Sequence, residues 1–109
     1  MITFGRSPII MDAQGDDLTS IFQGRDMNDT TPVVRLKVVQ IRYVAGASGV
    51  CIIKSGNPVS KPSSTIIWQS GDLNVGQSDE TAYAGAGIWM DGAYIAQMPT
   101  GGRVFIDYV

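Results

Sequence analysis

Apolar and polar residues alternate along most of this chain with the period of two that marks β-strands. The longest such run is VVRLKVVQIRYV, residues 33–44. Val34, Leu36 and Val38 take one side, with Arg35 and Lys37 on the other. Then the phase changes: Val39, Ile41 and Tyr43 continue the apolar row, while Gln40 and Arg42 take the polar side. Successive strand side chains point to opposite faces, so this switch predicts an inserted residue or a bend near Val38–Val39. A β-bulge or a strand passing between two sheets would supply it.

The following segments read as strands divided by turn residues. AGASG predicts a turn, after which VCIIKS is expected to return as the hairpin partner of 33–44. GNPVSKPSS is a loop with two prolines. TIIWQS predicts a third strand, with Ile66 and Trp68 on one face and Ile67 on the other. GDLNVGQSDETAYAGAG shows no sustained period and is expected to be a long surface connection. Asp91-Gly92, between two apolar segments, is a two-residue hairpin signal. PTGG then turns the chain into RVFIDYV, which would be the third member of a meander. At the other end, ITF and PIIM are short candidate strands separated by GRS. In DDLTSIFQG, Leu18, Ile21 and Phe22 have helical spacing, but the stretch also fits an extended arm with apolar anchors.

The strand RVFIDYV raises a question of cover. Val104, Ile106 and Tyr108 form one apolar row, and Phe105 and Val109 make the other row apolar too, broken by Asp107. Both faces therefore call for a neighbour. Short strands with glycine-rich turns predict an all-β fold: an antiparallel β-sandwich or jelly-roll-like single domain. The expected division is an extended N-terminal arm over residues 1–32 and the sandwich over 33–109.

Composition changes this picture modestly. The chain has 109 residues, of which 44% are hydrophobic and 17% charged. One domain of this size can bury a modest core without metal or disulfide staples. The charged share is below the roughly 25% of ordinary domains, which hints at surface covered by a partner. A small β-protein rich in polar turns would look the same.

Charge is uneven along the chain. Residues 1–32 carry Asp12, Asp16, Asp17, Asp26 and Asp29 against Arg6 and Arg25, a net −3. Residues 33–68 carry Arg35, Lys37, Arg42, Lys54 and Lys61 with no acid, a net +5. Residues 69–109 carry Asp72, Asp79, Glu80, Asp91 and Asp107 against Arg103, a net −4. Pairing between strands of different thirds would mix these signs on one surface. Otherwise they would form complementary patches between subunits.

Catalytic signatures are absent from the sequence. With no histidine, triads, Cys-His pairs and the usual zinc sites are excluded. Cys51 is the only cysteine, so no internal disulfide forms, and its apolar setting suits a small buried hydrophobe. No phosphate-binding glycine motif occurs. Asp12, Asp16 and Asp17, like Asp26, Asn28 and Asp29, cluster without calcium-loop spacing and read as loop or cap residues. Arg35, Lys37, Arg42 and Lys54 with Tyr43 and Trp68 could form a basic face, thin support for nucleic acid in a net acidic chain. Trp68, Trp89, Tyr83 and Tyr94 could line a carbohydrate platform. No secretory signal and no bilayer-spanning apolar stretch is seen, so synthesis in a reducing cytoplasm is expected.

The strings VRLKVVQIRYV, VCIIKSGN, IIWQSG and DGAYIAQMPTGGRVFIDYV resemble, in layout, small all-β virion proteins of tailed bacteriophages. The likeness covers about residues 33–109 and involves no catalytic motif. It implies a non-enzymatic virion component without cofactors. Such a component would be a capsid decoration (cement) protein stabilising the head between capsomers, or alternatively a small tail component. A carbohydrate- or receptor-binding β-module on a tail is a further alternative. The resemblance also implies partners, the major capsid protein and copies of itself as a trimer, and a virion location after synthesis in the host cytoplasm. The expected contact residues are Ile9, Ile10, Leu18, Ile21 and Phe22 in the arm, with Phe105 and Val109 at the C-terminal end.

Overall fold

The computed structural model describes residues 2–3, 8–18, 35–58, 61–83 and 87–109. They form an antiparallel all-β domain of nine strands in two sheets. The strands are β1 (Ile2–Thr3), β2 (Ile9–Met11), β3 (Arg35–Val44), β4 (Ile52–Asn57), β5 (Lys61–Gln69), β6 (Ser78–Ala82), β7 (Ile88–Asp91), β8 (Tyr94–Gln97) and β9 (Arg103–Tyr108). The larger sheet runs β1-β2-β9-β3-β6, with β7 also paired to β3. The smaller sheet runs β5-β4-β8. Unequal sheets of six and three strands make a sandwich-like fold.

The core follows directly from the alternation. Ile9, Ile106 and Ile41 are cross-strand partners on β2, β9 and β3, and Met11, Val104 and Tyr43 form the next inner row. All six are fully buried. Ile53, Trp68 and Ile95 of the smaller sheet close over them in the same cluster. Each such side chain contributes about 1.5–3 kcal/mol by leaving water, so these rows hold the two layers together. Trp68 adds a polar tie, its indole N–H donating to Thr81 Oγ1 of β6 at 3.0 Å.

The phase change in β3 is a bulge at Val39. Val38 opposes Tyr108 and Gln40 opposes Asp107, which leaves Val39 as the extra residue. Val38, Ile41 and Tyr43 consequently all face the core. The same point divides the opposite edge of β3. β7 pairs with Arg35–Val38 and β6 with Gln40–Val44. Between them, the Tyr83 N–H donates to the Val39 carbonyl at 2.9 Å. Gly87 (φ +86°) passes so close that a Cβ there would sit 2.5 Å from the Val38 carbonyl oxygen. The polar stretch Ser78–Ala82, read as part of a loop, is in fact an edge strand with no apolar alternation to reveal it.

Three local pairings differ from expectation. β4 is not the hairpin partner of β3; residues 45–51 carry the chain to the other sheet, where β4 pairs with β5 and β8. Asp91-Gly92 closes no hairpin, because β7 pairs with β3 while β8 pairs with β4. Gly92 (φ +70°) turns a corner between sheets instead. The C-terminal strand is therefore not the end of a meander. It lies between β2 and β3, paired on both sides by its own chain.

The expected arm is also revised over its described part. β2 is held between β1 and β9 within the large sheet. Residues 15–18 then line the edge of β8: the Gly15 and Leu18 N–H groups donate to the Ile95 and Ala93 carbonyls at 2.9 and 3.0 Å. Residues 8–18 are thus part of the sandwich, and Ile9, Met11 and Leu18 belong to its core.

Candidate interaction surface

The outer face of the large sheet is built by the residues that alternate with the core rows. Arg42 stands opposite Glu80 on one side and Phe105 on the other, and Phe105 stands opposite Ile10. Gln40 opposes Asp107, and its amide donates to Glu80 Oε2 at 3.2 Å. Farther along, Lys37 opposes Trp89, and the Val109 N–H donates to the Lys37 carbonyl at 3.1 Å. One surface therefore carries Ile10, Phe105, Trp89 and Val109 among charges of both signs.

Two of its aromatic rings lie under cations. The Arg42 guanidinium carbon is 4.5 Å from the Phe105 ring centroid, and Lys37 Nζ is 5.5 Å from that of Trp89. Such contacts contribute about 0.5–1 kcal/mol at exposed sites. The cation leaves the Trp89 ring largely open, at 57% exposed, and Val109 nearby is 75% exposed. The mixing of charge expected from the three thirds of the sequence is realised here. Arg42 of the basic third meets Glu80 of the acidic one, and Arg35 takes the register position opposite Asp91.

Of the expected contact residues, Ile10, Phe105 and Val109 come together on this face. Ile9 and Leu18 do not, because they are fully buried within their own chain and their apolar area is already used. Ile21 and Phe22 lie outside the described residues, as do Asp26, Asn28, Asp29 and most of the candidate helix. The residue of this face that sequence reasoning does not place here is Trp89. Its placement opposite Lys37 needs the pairing of β7 with β3, and the Asp-Gly signal pointed instead to a β7–β8 hairpin.

The rival constellations do not assemble. In the aromatic platform, Trp68 and Tyr94 are buried, Tyr83 packs against the core, and Trp89 alone is strongly exposed. The Tyr94 hydroxyl is engaged by the Ser63 carbonyl at 3.0 Å. The basic face is dispersed, since Tyr43 and Trp68 point into the core and Lys54 lies on the smaller sheet. Asp16 Oδ2 accepts the Asp12 and Ala13 N–H groups, both at 3.2 Å, which is the work of a loop cap. Among the described residues no group of three His, Cys, Asp or Glu side chains converges as a metal site.

Cys51 is fully buried, and burial pushes its thiol up to about 12, away from the thiolate that nucleophilic attack requires. Desolvation, with a smaller contribution from Cys51, likewise raises the Tyr43 phenol. A shallow groove between Asp12–Gln14 and Met98–Gly101 is crossed by a structural bond, Met98 N–H to Gln14 Oε1 at 3.1 Å. What the described residues offer is a sheet face that carries apolar side chains among charges of both signs. No protein-family model, curated protein or solved structure matches the chain.

Proposed function

We propose that this protein is a non-enzymatic virion structural component of a tailed bacteriophage, a capsid decoration protein that stabilises the head by binding between capsomers. The observation that carries the reading is the outer face of the large sheet, where Ile10, Trp89, Phe105 and Val109 are presented outward. A contact protein needs such a face, and repetition over a lattice makes individually weak contacts effective. The layout of the strand strings over residues 33–109 supplies the phage context. Head binding is tested by mixing the purified protein with undecorated heads and sedimenting them. Saturable co-sedimentation that raises the heads' heat resistance is expected. Absence of binding would overturn the decoration role, and binding to tails alone would move the protein to the tail.

A further inference from the structure

We infer that the outer face of the large sheet is a homotypic interface, whose occupant is the same face of a second copy of this chain. The charges argue for this partner. Around the apolar residues stand Lys37, Arg42 and Arg103 on one side of the balance and Glu80, Asp91 and Asp107 on the other. A polyanion or a strongly basic partner would meet as many like charges as opposite ones. A second copy brings its own mixture of both signs, so cation and acid can meet across the contact in either direction.

Size sets the strength of the association. β2, β9, β3 and the shared line of β6 and β7 form four columns; at a spacing of ~4.8 Å they span ~19 Å. Along β3, ten residues at ~3.3 Å each extend ~33 Å. Taken over three residues of β2, six of β9, ten of β3 and nine of β6 and β7 together, the face measures about 450 Å² per copy, or about 900 Å² for a pair, in the range of weak, reversible associations. Two sheets meeting in this way pack as in a sandwich, about 10 Å apart, with Trp89 and Phe105 interdigitating. The contact is isologous and closes as a dimer. It thus differs from the trimer that the phage resemblance implies. The inference rests on the proposed function only for its setting, since association of copies is measurable without a particle.

The test is sedimentation equilibrium of the full chain across the micromolar range, with a dimer as the expected limiting species. Trp89→Glu should weaken association at least ~30-fold, as for an exposed aromatic anchor that becomes buried in the contact. Val75→Glu serves as the control, because Val75 is just as exposed (69%) but lies in the loop before β6, off this face. A second readout needs no variant. Trp68 is buried and Trp89 exposed, so acrylamide quenching of the wild type reports on Trp89 and should fall as concentration rises. A wild type that stays monomeric, a trimeric limiting mass, quenching independent of concentration, or dissociation by Val75→Glu with Trp89→Glu silent would each overturn the inference. A dimer that fails to bind heads removes the decoration role alone; a monomer that binds them removes the homotypic interface alone.

Discussion

Both sheets contain bulges, and one from each is instructive to compare. In β3 the extra residue is Val39, between the Val38–Tyr108 and Gln40–Asp107 pairs. In β5 it is Ile67: Trp68 opposes Ile53, and Ile66 opposes Lys54. Both bulges shift the strand's phase by one residue, but only the first is visible in the sequence. Around Val39, the polar residues Arg35, Lys37, Gln40 and Arg42 mark the wet face on both sides of the shift. Around Ile67, the run Thr-Ile-Ile-Trp carries no charge to show which face is which. Simple alternation therefore placed Ile66 with Trp68. In the structure Trp68 is buried while Ile66 is 48% exposed on the outer side. A bulge can be read only where polar side chains record the phase.

Their surroundings differ as well, and substitutions can test that difference. The largest effect is expected at Trp68: Trp68→Ala should cost about 3–5 kcal/mol in urea unfolding, by opening the core and losing the bond to Thr81. A cost near that of a surface residue would mean that the Ile67 bulge is misplaced. Next comes Gly87→Ala, opposite the Val39 bulge. The added Cβ meets the Val38 carbonyl at a positive φ, so a loss of about 2–4 kcal/mol is expected. A neutral substitution would show that β6 and β7 can meet β3 without this close approach.

Deletion of each bulge residue sharpens the contrast. β3 is paired on both edges, whereas β5 lies at the edge of its sheet. Removing Val39 regularises the ladder with β9 but misaligns the β6 and β7 side. Removing Ile67 disturbs one partner only. The expected costs are more than about 3 kcal/mol for Val39 and about 1–2 kcal/mol for Ile67, as read from paired thermal melts. Equal melting temperatures would dissolve the distinction. The smallest effect belongs to Ile66→Ser, expected within about 0.5 kcal/mol of wild type. A loss of 2 kcal/mol or more on that scale would return Ile66 to the core face beside Trp68.

The candidate surface was partly legible for the same reason as the bulges. Phe105 and Val109 are expected contacts because their row is out of step with the core row of the same strand, and Ile10 as an apolar anchor of the arm; the three share the outer face. Ile9 and Leu18 carry an equally apolar signal, yet they fill their own chain's core. Hydrophobicity alone states that a residue needs cover, without naming what provides it. Trp89 was assigned to a ligand platform because its neighbour across the sheet, Lys37, is more than fifty residues away in the chain.

What the sequence by itself determined is the class of the fold and the inward rows. Period-two alternation and turn glycines specify an all-β chain, and the lack of histidine removes imidazole chemistry from it. The phase change at Val38–Val39 even locates a bulge. Tertiary structure alone decided which strands are neighbours. Asp91-Gly92 has the local chemistry of a hairpin, but Met90 and Tyr94 bury their side chains in different sheets, and the turn became a corner between them. The C-terminal strand found its pairing partners in the same way, in β2 and β3, which begin 94 and 68 residues before it. Turn propensity is worth a kcal/mol or so, whereas burial of several large side chains is worth many times that. Where local preference and core burial disagreed, burial set the topology.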